Sequence, residues 1–436
     1  MNQSIKALYR AFSPAPLTLE QSDLYVPLDP VRGDQTVVER LAEQIRLSDQ
    51  PVSQVIAGHK GSGKSTELIR LQEELENGDP RYFVVFCKAD EDIDRNDVDF
   101  PDLLIAIIRQ IAKQLRDRAN IELKPGYFEK RWERLKTALG SEVSFEGLKL
   151  DAGMLEIAAP IKSSPDVRQE VRKLLEPDTT NWLKAANDVI GEAVLELQKQ
   201  NYDNLVVVVD DLDKMVVRSV DHAECSTVEY LFIHRAGQLT AFNCPVVYTL
   251  PLSLAYSHHE QTIKNSFGGH VPVVPMIKIA SRPPESKPYK PGIDRMQKII
   301  KARCEAAGTK PADVFKSAPV RRKLLQLSGG QPSELMILVR EAIITAGLPI
   351  NGKALDRARR EGMREYARML RAEHWPILET IRQSGRYDRS EETETLFREL
   401  IDSRAILQYV NKDEWYGLNP MVAELEPPPP ATSLSQ

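Results

Sequence analysis

Val52-Ser-Gln-Val-Ile-Ala-Gly-His-Lys-Gly-Ser-Gly-Lys-Ser-Thr66 is the stretch on which the reading of the whole chain turns. Val52–Ala57 is a short apolar run and reads as a buried strand, and Thr66–Leu75 reads as an amphipathic helix. Between them Gly58, His59, Lys60, Gly61, Ser62, Gly63, Lys64 and Ser65 satisfy the pattern G-x-x-x-x-G-K-[ST]. Glycines let backbone N–H groups turn inward toward an anion, and the following helix adds its positive N-terminal end. Gly58 to Thr66 is therefore expected to cradle phosphates.

The chemistry of the loop sets the expected ligands, ATP and Mg²⁺. Lys64 is expected to reach the β- and γ-phosphates, and the Ser65 hydroxyl to ligate the metal. A second motif supports this. Leu205-Val-Val-Val-Val-Asp-Asp-Leu-Asp213 is a buried strand ending in carboxylates. Such carboxylates, at the C-terminal ends of parallel strands, lie where ligands of these sheets bind. Asp210 is the expected Mg²⁺ holder, and Asp211 the expected base for the attacking water. Thr249, ending the next strand Pro245–Leu250, is the candidate γ-phosphate sensor.

Bulk properties agree with a large protein free of membrane spans. At 436 residues, with 42% hydrophobic and 28% charged residues, the chain is long enough for two or three domains. A net charge of −5 argues against polyanion binding over the whole surface. Cys87, Cys225, Cys244 and Cys304 are widely spaced, without metal-ligand spacing, and read as reduced thiols. His258-His259 lacks a set of metal ligands around it. No signal peptide and no apolar run of membrane-spanning length is visible, so the expected location is cytoplasmic and no membrane contact is expected.

Short apolar strands alternate with helix patterns from Val37 to Ile279, which predicts an α/β core with a parallel sheet. Further strands are expected at Arg81–Lys88 and within Val271–Ile279, and helices at Leu103–Leu115 and Trp182–Leu197. The expected organisation is an N-terminal segment 1–35, a P-loop core 36–280 with a helical insertion at about 100–204, a helical lid 281–372, a winged-helix-like domain 373–426 and a disordered tail 427–436. Glu142–Ile161 is left unassigned between helices.

These motifs together resemble the AAA+/STAND branch of P-loop ATPases, especially origin-recognition-like and STAND signalling ATPases. Tyr25–Gly33, with Pro-Val-Arg-Gly, looks like the segment that packs by the adenine. Asp210-Asp-Leu-Asp213 is similar to the acidic motif of STAND proteins, and Leu327–Leu335 resembles the lid motif, whose Gly330-Gln331-Pro332 would contact the base. The resemblance implies an ATP-binding conformational switch, with bacterial defence or signalling as its setting. A DNA-associated ATPase of the origin-recognition or transposition-regulator kind is the alternative.

Departures from the family pattern favour a nucleotide-gated switch over a ring motor, with slow hydrolysis implied by the second acid and an inserted helical module by the long spacing. Lys64 and Asp210 lie 146 residues apart, the second acid is Asp rather than Glu, and Ser253–His270 holds Lys264 but no arginine. Ser333 stands where a lid arginine often occurs. Arg235 and Arg282 are the remaining candidate phosphate sensors.

In the C-terminal part the order helix, helix, hairpin matches a winged helix. Its segment 391–404 carries five carboxylates against two arginines, which makes it a poor DNA reader and favours a protein partner or self-association. Segment 353–371 has seven basic against three acidic residues, the one stretch that keeps nucleic acid open as a partner.

Overall fold

A computed structural model describes residues 3–33, 36–123, 162–220, 225–388 and 390–427. The stretch Glu142–Ile161 and most of the tail lie outside the described residues. In chain order the main elements are α1 (Gln3–Ala11), α2 (Val37–Leu47), β1 (Ser53–Gly58), α3 (Lys64–Asn77) and β2 (Tyr82–Lys88). Then come α4 (Phe100–Ala119), α5 (Pro165–Leu175), α6 (Thr179–Gln198), β3 (Asn204–Asp210), β4 (Val246–Leu250) and β5 (Val273–Val274). The last part holds α7 (Lys290–Ala306), α8 (Ala318–Leu327), α9 (Pro332–Ala346), α10 (Gly352–Met369), α11 (Trp375–Ser384), α12 (Glu391–Asp402), β6 (Ile406–Val410), β7 (Glu414–Leu418) and α13 (Pro420–Ala423).

Two compact units form from these elements. One comprises Val37–Ala57 and Glu67–Pro272; the other comprises Met1–Thr36, Gly58–Thr66 and Val273–Gln436.

In the first unit, four strands run parallel in the order β2–β3–β4–β1. Val206 pairs with Val84, and Val208 with both Phe86 and Val247. Val206 to Val208 are completely buried. A strand so rich in valine, with no polar alternation, has both faces covered, which is the signature of a parallel sheet. Helix α4 packs on β2, α6 packs on β3, and the two helices pack on each other. The expected helix at Leu103–Leu115 starts earlier because Asp99 caps it, accepting from Phe100 N at 2.7 Å. Asp102 closes the capping box by accepting from Asp99 N at 2.9 Å.

Beside that cap, Arg172 pairs with Asp97 at 2.7 Å and with Asp102, while Arg168 pairs with Asp94 at 3.0 Å and Asp97 at 2.8 Å. Burial pushes the Asp102 carboxyl up to about 6, against the pull of Arg172. Arg235, a candidate phosphate sensor, is instead held by two hydrogen bonds of 3.1 Å to Asp99 and by Glu176. Its guanidinium stabilises the helix start here.

The second unit has a helical core in which Met296, Ile300, Leu324, Leu335, Val339 and Leu355 meet. Leu8 and Phe12 join them, because α1 packs on α7. Ile5 and Leu8 on α1 and Phe12 just after it follow a three-and-four spacing, hidden in a segment whose overall look is polar. After the lid helices, α11 packs on β7 and α12 on β6. β6 and β7 form an antiparallel hairpin in which Gln408 faces Tyr416 and Tyr409 faces Trp415. The order helix, helix, hairpin is as expected. Three acids in the first turn of α12 sit where the helix dipole favours them.

Candidate phosphate-binding site

Strand β1 runs directly into the glycine loop and the loop into α3, the strand–loop–helix order of a P-loop. Gly58, Gly61 and Gly63 have φ of +149°, +82° and +106°. Such angles are strained for any side chain, and a Cβ on Gly61 would overlap the Ser333 hydroxyl. Glycine here is a requirement of both backbone and packing. Lys64 is 5% exposed, and its ammonium donates to Gly58 O at 2.5 Å and His59 O at 2.9 Å. The side chain is thus curled back over the loop. Ser65 and Thr66 are half-buried in the first turn of α3, and Thr66 Oγ1 accepts from Leu17 N at 3.5 Å.

Distant segments of the same unit enclose the loop. Arg32, 3% exposed, donates through Nη2 to Ser62 O. That Nη2 lies 3.5 Å from where a Cβ on Gly63 would stand. The lid turn approaches through Gln331 Nε2, donating to Lys60 O at 3.0 Å, and Ser333 N, donating to Gly61 O at 3.4 Å. Pro332 opens α9, where its missing N–H costs nothing. Gly330 reaches the core through its carbonyl, which accepts from Ile277 N at 3.0 Å. Arg282, the other candidate sensor, donates instead to Ser384 O at 2.9 Å. The loop's residues fit a polyphosphate: positive-φ glycines, a helix N-terminus, a buried lysine and a buried arginine.

The acidic turn belongs to the sheet-bearing unit. Asp210, Asp211 and Asp213 are buried, and each offers a ligand oxygen within 4.8 Å of the others. An all-oxygen set of this kind suits a hard cation such as Mg²⁺. Asp211 adopts φ +71°, and its backbone N donates to Asp210 Oδ1 at 2.7 Å. Lys214 pairs with Asp211 from one turn on. Burial and the Asp210 charge still raise the Asp211 carboxyl to about 6, against that lysine. Burial pushes the neighbouring Asp90 carboxyl up, but its hydrogen bond with Asp211 and then the charge of Arg95, with which it pairs, hold it below the usual range. Thr249, fully buried, accepts from Leu212 N at 2.9 Å. That bond makes it a brace of the acidic turn, whatever else its hydroxyl does.

Within the second unit the structure brings together Gly58–Thr66, Arg32, Gln331, Pro332 and Ser333. Within the first it brings together Asp210, Asp211, Asp213 and Thr249. Asp90 and Lys214, beside Asp211, are not among the residues the motifs single out, although Lys214 stands only three residues on from Asp211. Arg32 is visible in the sequence only as part of the segment expected near the base, and its contact with the loop is not.

No protein-family model matches the chain, and no curated protein matches it. Solved structures similar to it include a Walker-type ATPase of Pyrococcus abyssi, at 15% identity and TM-score 0.48, covering 95% of this chain and 98% of that one. The ORC2 protein of Aeropyrum pernix matches at 13% identity and TM-score 0.38, covering 95% of each chain. Cdc6p of Pyrobaculum aerophilum matches at 14% identity and TM-score 0.39, again over 95% of each. Among the described residues no helix is long and apolar enough to cross a membrane. The roles proposed below rest on this chain's own residues.

Proposed function

We propose that the chain is a slowly hydrolysing, ATP-gated switch of the origin-recognition-like AAA+ or STAND kind. The observation that carries this is the glycine loop with Lys64 buried at the start of α3 and the lid turn hydrogen-bonded onto it. Inward N–H groups of Gly58–Thr66 bind the phosphates, with Lys64 supplying the positive charge and Arg32 adding to it. Ser65 would offer Mg²⁺ a hydroxyl and Asp210 a carboxylate, and the ion would supply charge neutralisation to the phosphates. Asp211 accepts a proton from water as the water oxygen bonds to the γ-phosphorus. The bond to the β–γ bridging oxygen then breaks, leaving ADP and phosphate.

Slowness follows from the short Asp211 side chain, which limits its reach, and from Lys214, whose ion pair must loosen before the carboxylate can take a proton. A switch needs an element that differs between nucleotide states, and the lid turn at Gly330–Ser333 is that element. Bacterial defence or signalling is the setting in which such switches serve. A protein partner or a second copy fits the acidic α12 better than DNA does. Part of the basic stripe on α10 is already spent, Arg359 on Glu424 and Arg371, just beyond its end, on Glu399.

Two variants test the assignment. Lys64→Ala should lose nucleotide binding, and Asp211→Asn should bind ATP while its turnover falls by about 100-fold or more. Turnover and binding at parental levels in both variants would overturn the site.

A further inference from the structure

His59 contributes its backbone to the phosphate loop, but its imidazole has no assigned role there, and the motif leaves its position open to any residue. It is nevertheless 2% exposed. Its Nε2 lies 2.9 Å from Gln408 N, in the middle of β6. A backbone amide can only donate, so Nε2 is the acceptor and the ring proton sits on Nδ1. The ring is therefore neutral. Burial, then the charges of Lys64 and Arg404, lower its pKa to about 3, against a backbone hydrogen bond with Ile401 that raises it.

Gln408 is placed to receive this contact. Its carbonyl accepts from Met276 N at 3.0 Å, so both of its backbone groups point away from β7. It thus occupies a non-hydrogen-bonded position of the hairpin, opposite Tyr416. The neighbouring Tyr409 donates its hydroxyl to Gly329 O, in the lid turn, at 2.6 Å. The same ring stacks on Trp415, centroids 4.4 Å apart and 18° from parallel. Strand β6 therefore holds the phosphate loop through residue 408 and the lid turn through residue 409.

We infer that His59 is a positioning residue that ties the phosphate loop to the C-terminal hairpin, so that nucleotide on the loop changes the order of the hairpin. This rests on the nucleotide reading above. A glycine loop is soft until phosphate fixes its N–H groups, whereas an imidazole ring is rigid and short. Fixing the loop then fixes the ring, and the ring fixes the amide of residue 408. The coupling is reciprocal, so loosening the hairpin weakens nucleotide binding by the same factor.

The test is hydrogen exchange of the segment 405–410 in the full chain, with and without saturating ATP and Mg²⁺, beside a separate binding titration. ATP should slow exchange there by about fivefold or more in the parent. His59→Gln, whose Oε1 can replace Nε2 as acceptor, should keep that effect, and His59→Leu should lose it. Gln408→Pro removes the donated hydrogen from the other side without removing a hairpin ladder bond, and should match His59→Leu. Should one of these two variants fail to fold, the other decides. ATP binding to the parent with no change at 405–410 overturns the inference, as does protection persisting in His59→Leu or Gln408→Pro. A parent that binds no ATP overturns the nucleotide reading instead, a result seen in the titration alone.

Discussion

The phosphate loop and the acidic turn are satisfied in opposite ways. Polar groups of the loop are met by residues far along the chain: Arg32 on Ser62, Gln331 on Lys60, Ser333 on Gly61 and Gln408 on His59. The acidic turn is met mostly from within: Asp210 caps the next amide, Lys214 pairs with Asp211, and Thr249 on the adjacent strand braces Leu212. A loop wired to distant segments can report its state to them. A turn braced by its own neighbours keeps one geometry, which suits metal holding and water activation.

Acid should separate the two most strongly. His59 has a pKa of about 3 when folded, below the ordinary histidine value of 6.5. Between those values the unfolded chain takes up a proton that the folded chain refuses, so stability falls as pH drops from 6.5 toward 3. The loss should reach about 3 kcal/mol by pH 4, read by chemical denaturation, and His59→Gln should remove that part of the slope. An unchanged slope in the variant would place the acid sensitivity elsewhere.

Gly61→Val attacks the wiring of the loop itself. The added side chain needs the space of the Ser333 hydroxyl and an unfavourable φ, so ATP affinity should fall about 100-fold while the sheet-bearing unit melts as before. Calorimetric titration measures the first and differential scanning calorimetry the second.

Thr249→Val is the matching cut in the acidic turn. It keeps the shape and removes the acceptor of a buried amide, at a cost of about 1–2 kcal/mol in unfolding experiments. ATP binding should be nearly unchanged and turnover reduced. A loss of binding without a loss of stability would instead make Thr249 a ligand contact.

The smallest effect is expected at Arg359→Ala, which breaks a surface pair with Glu424 and should cost less than about 1 kcal/mol. It should leave any DNA retention at low salt unaltered, since that side chain is already engaged. A steep loss of salt-dependent DNA binding would revive the DNA-associated reading.

What could be read from sequence follows the same division. β1, the glycine loop, β3 with its carboxylates and β4 are local patterns, and period and composition reveal them. The order of α11, α12 and the hairpin is legible for the same reason. Contacts of Arg32, Gln331 and Gln408 with the loop join residues far apart in sequence, and no local signal announces them. Helix α1 lies between these cases, since Ile5 and Leu8, with Phe12 just after the helix, show the spacing but sit in a polar segment. Thr249 was legible as a polar strand end, yet its bond to Leu212 N appears only once β3 and β4 are side by side.

Equilibrium titration of the parent chain with ATP and Mg²⁺ tests the central claim most directly. The account predicts saturable binding of one nucleotide per chain, in about the micromolar range, abolished by Lys64→Ala. No saturable binding up to about millimolar ATP, or equal binding by Lys64→Ala, would contradict it.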